Sequence, residues 1–168
     1  MTHGSTWYDE SMEAIRHRFG DDADLFAGIL AATSAHSSVS ANVKLAVKAF
    51  NMIKDTGTIT REGFMKHHYL GILQVLEHGI PKGPKVGAFA RALLGDHDAV
   101  VVDLWMCRWY GSALRAPTIK LRREIEAAIR IKATELGLSP RDTQAHLWCQ
   151  VRGNSESYAD YLRQGGLL

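Results

Sequence analysis

Cysteine is almost missing from this chain: Cys107 and Cys149 are the only two among 168 residues. A disulfide-stapled scaffold is therefore excluded, and the pair fits a reducing compartment. The thiolate set of an iron–sulfur cluster is excluded as well. No apolar run is long enough to span a membrane and no secretory leader is apparent, so the expectation is a soluble, cytoplasmic protein. Neither sign of charge dominates. The net charge is +2 and the pI about 8.6, too little for general electrostatic attraction to nucleic acid, so any DNA contact has to be local. Strand-like alternation and internal repeats are missing, and no His/Cys/carboxylate set has zinc spacing; His67 and His68 are adjacent and point different ways on a helix. No metal and no cofactor are expected.

What is present is apolar content and helix punctuation. Hydrophobic residues make up 46% of the chain, enough for a core, and the length fits one domain spanning 1–168. Only residues 1–6 and the Gly165-Gly166 tail are expected to be loose. Helices are expected over Tyr8–Arg18 and Asp22–Ala32, the second with Leu25, Phe26, Ile29 and Leu30 on its apolar face. A polar break, Thr33–Ser38, precedes a long helix with Val39, Val43, Val47 and Phe50 on one side, ended by Asp55-Thr56-Gly57. The next is expected to begin at Thr60, to carry Phe64, Leu70, Leu73 and Leu76, and to reach Glu77. A turn from Gly79 to Gly83 leads into a helix over Pro84–Leu94, with proline in the first turn, where its missing N–H costs nothing. Asp103 starts a helix that ends near Gly111. Thr118 and Ser139-Pro140 open two more, and Ser155 a short last one. The fold class is all-α, with roughly eight to ten helices.

Two residues suggest chemistry. Lys85 follows the Gly/Pro turn Gly79-Ile80-Pro81-Lys82-Gly83-Pro84, and Asp103, 18 residues later, closes the apolar run Val100-Val101-Val102. A turn between helices leaves main-chain N–H groups free at the second helix start, where they and the helix dipole favour a phosphate. Gly79 and Gly83 allow close backbone approach, and Lys82 adds a cation. A lysine amine can attack carbon. A carboxylate can stabilise a developing cation or take a proton. Asp103 also reads as a helix N-cap, and both roles can hold at once; the plain reading of Lys85 is a solvated surface lysine.

This constellation resembles the helix-hairpin-helix (HhH-GPD) DNA glycosylase superfamily, the endonuclease III and 8-oxoguanine glycosylase group. There a hairpin of type Leu-Pro-Gly-x-Gly-x-Lys is followed by a helix and a Val-Asp helix start at the same spacing or one residue longer. Here Pro81 stands nearest the family's first hairpin glycine. The segment Leu30-Ala31-Ala32-Thr33-Ser34-Ala35-His36-Ser37-Ser38-Val39-Ser40-Ala41-Asn42 is similar to the family's Leu-Ser-Ala-Gln-x-x-Asp-x-x-Val-Asn, with His36 in place of the gap-filling Gln. The likeness covers roughly Asp24–Gly111, about half the chain. It implies a compact helical domain with its helix-hairpin-helix at 79–94 and without the iron–sulfur cluster that several members carry. It further implies Lys85 and Asp103 as catalytic pair facing one cleft from two adjacent helices, and Gly79, Lys82, Gly83, His36 and Asn42 as DNA contacts. The partner is DNA, with phosphate on the hairpin and a flipped base in the cleft, bound by a monomer.

Three functions stay open: N-glycosidic cleavage, with lyase action through a Lys85 Schiff base; group transfer onto an activated hydroxymethyl base, as in small phage-type members linked to thymine hypermodification; and a non-catalytic DNA-binding module. Trp105 and Trp109 are candidates to stack on a base, although aromatic residues at helical spacing are commonly core. Arg122, Arg123 and Arg130 read as a solvated face able to meet phosphates. Gln144 and Trp148 share one helical face and have no counterpart in the glycosylases.

Overall fold

The computed structural model describes residues 3–113 and 116–164. Among them the chain is all-helical, with nine α-helices: α1 (Trp7–Phe19), α2 (Ala23–Ala32), α3 (Val39–Thr56), α4 (Lys66–His78), α5 (Pro84–Leu93), α6 (Leu104–Trp109), α7 (Ile119–Leu136), α8 (Pro140–Arg152) and α9 (Tyr158–Leu162). No described helix is long and apolar enough to cross a membrane. The loose start expected over 1–6 is corrected where it is described: His3–Thr6 is a turn of 3-10 helix packed on α8, with Gly4 so close that a Cβ there would lie 2.6 Å from the His146 Cα. The Gly165-Gly166 tail lies outside the described residues.

α2 is the central element. Ala23, Phe26–Ala32 are all buried, as befits a helix that is apolar nearly all round. α1, α3, α4 and α5 pack around it. Small residues set the spacing: a Cβ on Gly71 of α4 would come within 3.1 Å of the Ala32 Cβ. α4 therefore docks through His68, Gly71, Ile72 and Val75, and the expected inner residues Leu70 and Leu76 are exposed instead, at 44% and 39%. The helix also starts at Lys66 rather than Thr60. Gly63 takes a left-handed φ of 83°, and the Phe64 N–H bonds the Arg61 carbonyl, so 60–65 form turns.

The hairpin leans on α2. A Cβ on Gly28 would stand 2.8 Å from the Gly79 carbonyl oxygen and 2.8 Å from a Val75 methyl. Gly28→Ala should therefore destabilise the protein by about 1–3 kcal/mol, the usual cost of overpacking; denaturant unfolding at constant m-value measures it. An unchanged midpoint would mean that the hairpin is not held there.

The remaining helices form a second layer. α8 contacts α1, α6 and α7, and a smaller apolar cluster of Val100, Val102, Met106, Cys107, Ile125, Ile129 and Leu147 fills the space between them. Thr118 and Ser139 cap α7 and α8 through side-chain acceptors, to Leu121 N (3.1 Å) and Asp142 N (3.1 Å). The last helix is started by Ser157, not Ser155: Asp160 Oδ2 accepts the Ser157 N–H at 2.8 Å. α8 is tied across the layers by Arg141, which is 2% exposed. Its guanidinium donates to Asp9 (2.8 Å), Asp142 (2.9 Å) and the Ala92 carbonyl (3.1 Å), joining α1, α8 and α5.

Candidate active site

A cavity of about 480 Å³ opens where α1, α5, α6, α8, α9 and the 34–39 loop meet. Lys85 and Asp103 both line it. They do not arrive from two helices packed side by side. α5 packs on α2 and α1, whereas α6 packs on α8, and the extended Ala99–Val102 segment carries the chain from one layer to the other.

Asp103 is held at both oxygens. Oδ1 accepts the Met106 N–H (3.0 Å), which caps α6, and Oδ2 accepts the Trp148 indole N–H (2.8 Å). The capping bond and the site position thus coexist, and the half-buried carboxylate cannot rotate without losing one partner. Lys85 sits in the first turn of α5, half-buried. Among the described residues it makes no ion pair.

The cavity wall is aromatic: Trp7, Tyr8, Phe89, Trp105, Trp148 and Tyr158. Trp7 is the hub, meeting Tyr8, Trp148 and Tyr158 edge-on at ring separations of 5.0, 5.4 and 5.4 Å. Such edge contacts fix ring planes and rigidify the wall. Trp148 is clamped further by Arg152, 3.7 Å above its ring. Burial first, then the charge of Asp103, raises the Tyr8 phenol well above its ordinary pKa. It stays neutral and donates to Gln144 Oε1 at 2.9 Å. Tyr158 is raised likewise by burial.

The expected DNA contacts divide. His36 is exposed at the mouth and has a φ of 59°, the only positive value at a non-glycine residue among those described. Its ring meets His67 at 5.6 Å, and His67 is held below its ordinary pKa by burial, then by His68, His36 and the Lys85 cation. The mouth is thus lined by a histidine in a left-handed backbone conformation and by a lysine. Gly79, with φ of 88°, makes the sharp exit from α4, and Lys82 is exposed. The Lys82 N–H is already taken by Gln74 Oε1 (2.8 Å), while among the described residues the Gly83, Lys85 and Val86 N–H groups have no acceptor. Gly83 itself has an ordinary φ of −56°.

Asn42 does not reach a strand. It is fully buried, its Nδ2 donating to Tyr158 Oη (2.7 Å) and its Oδ1 facing the Thr33 hydroxyl (2.6 Å). The helix face that carries it turns inward, so its place is to hold Tyr158. Trp105 lines the cavity with Arg108 over its ring at 4.7 Å, but Trp109 packs on the smaller apolar cluster away from it. The α8 pair, Gln144 and Trp148, falls inside the cavity, and Arg122, read as a solvated residue, lines it too. Tyr8 and Tyr158 were not legible as site residues; 136 residues separate Tyr8 from its partner Gln144, and no local pattern announces that meeting. Among the described residues, no group of three or more His, Cys, Asp or Glu is set to hold a metal ion.

No curated protein and no solved structure matches the chain. A family model covers nearly all of it, residues 1–155, and by that match the chain belongs to DUF7178, a family of unknown function.

Proposed function

We propose that this protein is a DNA base-processing enzyme of helix-hairpin-helix glycosylase type, which draws one nucleotide out of the duplex into the aromatic cavity and cleaves its N-glycosidic bond. The observation that carries the reading is that Lys85 and Asp103 line the same aromatic cavity. An aromatic cavity wall suits a nucleobase, whose faces stack on aromatic rings while its edge meets a few polar groups. The volume lies within the range of about 300–1,000 Å³ usual for small-ligand sites.

The chemistry follows from the two side chains. The Lys85 amine attacks the sugar C1′ as the C1′–N bond breaks, and the electron pair of that bond leaves with the base. Asp103 offsets the positive charge that develops on the sugar and receives the proton shed by the attacking amine, which passes to the departing base. The C1′–O4′ bond then breaks as the remaining amine proton passes through Asp103 to O4′, which leaves an imine between Lys85 and C1′. Outside the cavity, the free N–H groups of Gly83, Lys85 and Val86, with the Lys82 cation, hold a backbone phosphate, and His36 stands where the extracted base leaves its gap.

One observation favours a second reading, transfer of a group onto an activated base. Gln144, Trp148 and Tyr158 come from α8 and α9, the part of the chain without a glycosylase counterpart. Borohydride treatment with abasic and modified-base duplexes separates the readings. A covalent adduct supports the lyase, free base without an adduct a simple glycosylase, and a change in base mass the transfer. Binding with no chemical change would leave a DNA-binding module and end the enzymatic reading.

The hairpin can be tested alone. At Gly83 a Cβ would meet only a Val86 methyl (2.8 Å), so Gly83→Val should leave the fold largely intact. It would crowd the free N–H groups and weaken DNA binding by about 1–3 kcal/mol. Unchanged affinity in a titration at fixed salt would make the turn a connector only.

A further inference from the structure

We infer that Gln144 sets the specificity of this cavity, presenting a locked N–H donor that selects a base with an exocyclic oxo group, a dioxopyrimidine, over one bearing an amino group there. The inference rests on the base-processing reading above and names the substrate class of that same site.

The orientation of the Gln144 amide is decided by its neighbour. Tyr8 is 2% exposed, and its hydroxyl has one partner, Gln144 Oε1 at 2.9 Å. With the amide reversed, Nε2 would donate to the phenol oxygen and the phenol proton would be left unpaired in the core, which folded proteins avoid. Burial and the charge of Asp103 keep the phenol protonated, so it remains a donor. The amide oxygen is therefore consumed, and Nε2 is the atom left over. Gln144 is 3% exposed and lines the cavity. Among the described residues its Nε2 engages no acceptor, yet it is not among the side-chain atoms sealed away without a partner. Its remaining N–H groups thus face the cavity.

The surroundings reinforce that sign. Arg122 can only donate. Tyr158 Oη already accepts from Asn42 Nδ2, so its own O–H also remains to be given. Among the described residues Asp103 is the sole carboxylate in the wall, and it stands with Lys85 as the reacting pair. A ligand edge that meets Gln144 must accept. An oxo group does so, whereas an exocyclic amino group would bring N–H against N–H and leave both unpaired.

The test uses the full chain and two duplexes identical except for one extrahelical deoxyuridine or deoxycytidine. These bases differ at the position-4 oxo or amino group and the adjacent ring nitrogen. Fluorescence anisotropy should show the deoxyuridine duplex bound about tenfold or more tightly, the scale of one good base-edge contact. Gln144→Glu keeps the acceptor for Tyr8 and the shape but replaces the N–H with oxygen, so the preference should vanish or reverse. A merely structural glutamine would weaken both duplexes together. Should Gln144→Glu fold poorly, Tyr8→Phe gives the same answer, because it frees the amide to turn and narrows the preference. Equal affinity of the wild type for the two duplexes, both tighter than a duplex without an extrahelical base, overturns the inference alone. So does a preference that survives Gln144→Glu. No gain from any extrahelical base overturns the base-processing reading and the inference with it.

Discussion

Asp103→Asn should lower turnover on DNA by roughly two or more orders of magnitude and leave DNA affinity unchanged or slightly tighter. The carboxylate is held by Met106 N and Trp148 Nε1, so the substitution changes charge more than place. The capping bond survives through the amide oxygen. The indole N–H then faces an amide NH₂, two donors without an acceptor, and stability should fall by about 1–3 kcal/mol. That cost must be separated from the chemical effect. Turnover measured well below the thermal midpoint of the variant, where it is fully folded, makes that separation. Lys85→Gln should abolish turnover as well, with no loss of stability, since the amine has no ion-pair partner to forfeit. Single-turnover rates with thermal midpoints measured in parallel decide the matter. Full activity in Lys85→Gln, with an unfolded Asp103→Asn, would reduce Asp103 to a cap and Lys85 to a bystander.

Arg141→Met should be the most damaging change far from the chemistry. Arg141 is 2% exposed and serves three acceptors on three helices at once. Removing it leaves Asp142, whose side chain is only 15% exposed, and the Ala92 carbonyl without their partner. Removing one member of a buried ion pair costs about 3–5 kcal/mol. The lower end applies here, because the Asp9 side chain is 65% exposed and regains water. A loss of about 3 kcal/mol corresponds to a melting point lower by roughly 6–12 °C for a chain of this size. Asp9→Asn, which touches only the exposed arm, should cost about 0–1 kcal/mol. Equal losses in the two variants would contradict the assignment of Arg141 as the tie between layers. The link to function is direct. Arg141 opens the helix that carries Gln144 and Trp148, so partial loss of the tie should degrade base selection before it unfolds the protein.

Helix starts were legible in the sequence where a side chain supplies the signal itself. Thr118 and Ser139 each accept from the main-chain N–H three residues on, and each was readable from residue type and the apolar pattern that follows; Ser38, the end of the polar break, caps α3 in the same way. The start of α4 was not, because Gly63 takes a left-handed turn that a helical pattern of apolar residues conceals. Its inner face was misjudged for a related reason: close packing on α2 selects Gly71, the smallest residue, and pushes Leu70 outward. The two halves of the site differ in the same way. Lys85 and Asp103 carry local marks, a turn and a helix start. Tyr8, Gln144 and Tyr158 meet through tertiary packing alone, and Asn42, which looked like a surface contact, is consumed in holding Tyr158.

The most direct measurement is where a covalent intermediate forms. The wild-type protein is incubated with an abasic duplex, reduced with borohydride, digested and mapped by mass spectrometry. The account predicts a single deoxyribose adduct on Lys85, missing in Lys85→Gln and much reduced in Asp103→Asn. An adduct spread over surface lysines, or one that persists at the same yield without Lys85, would contradict it.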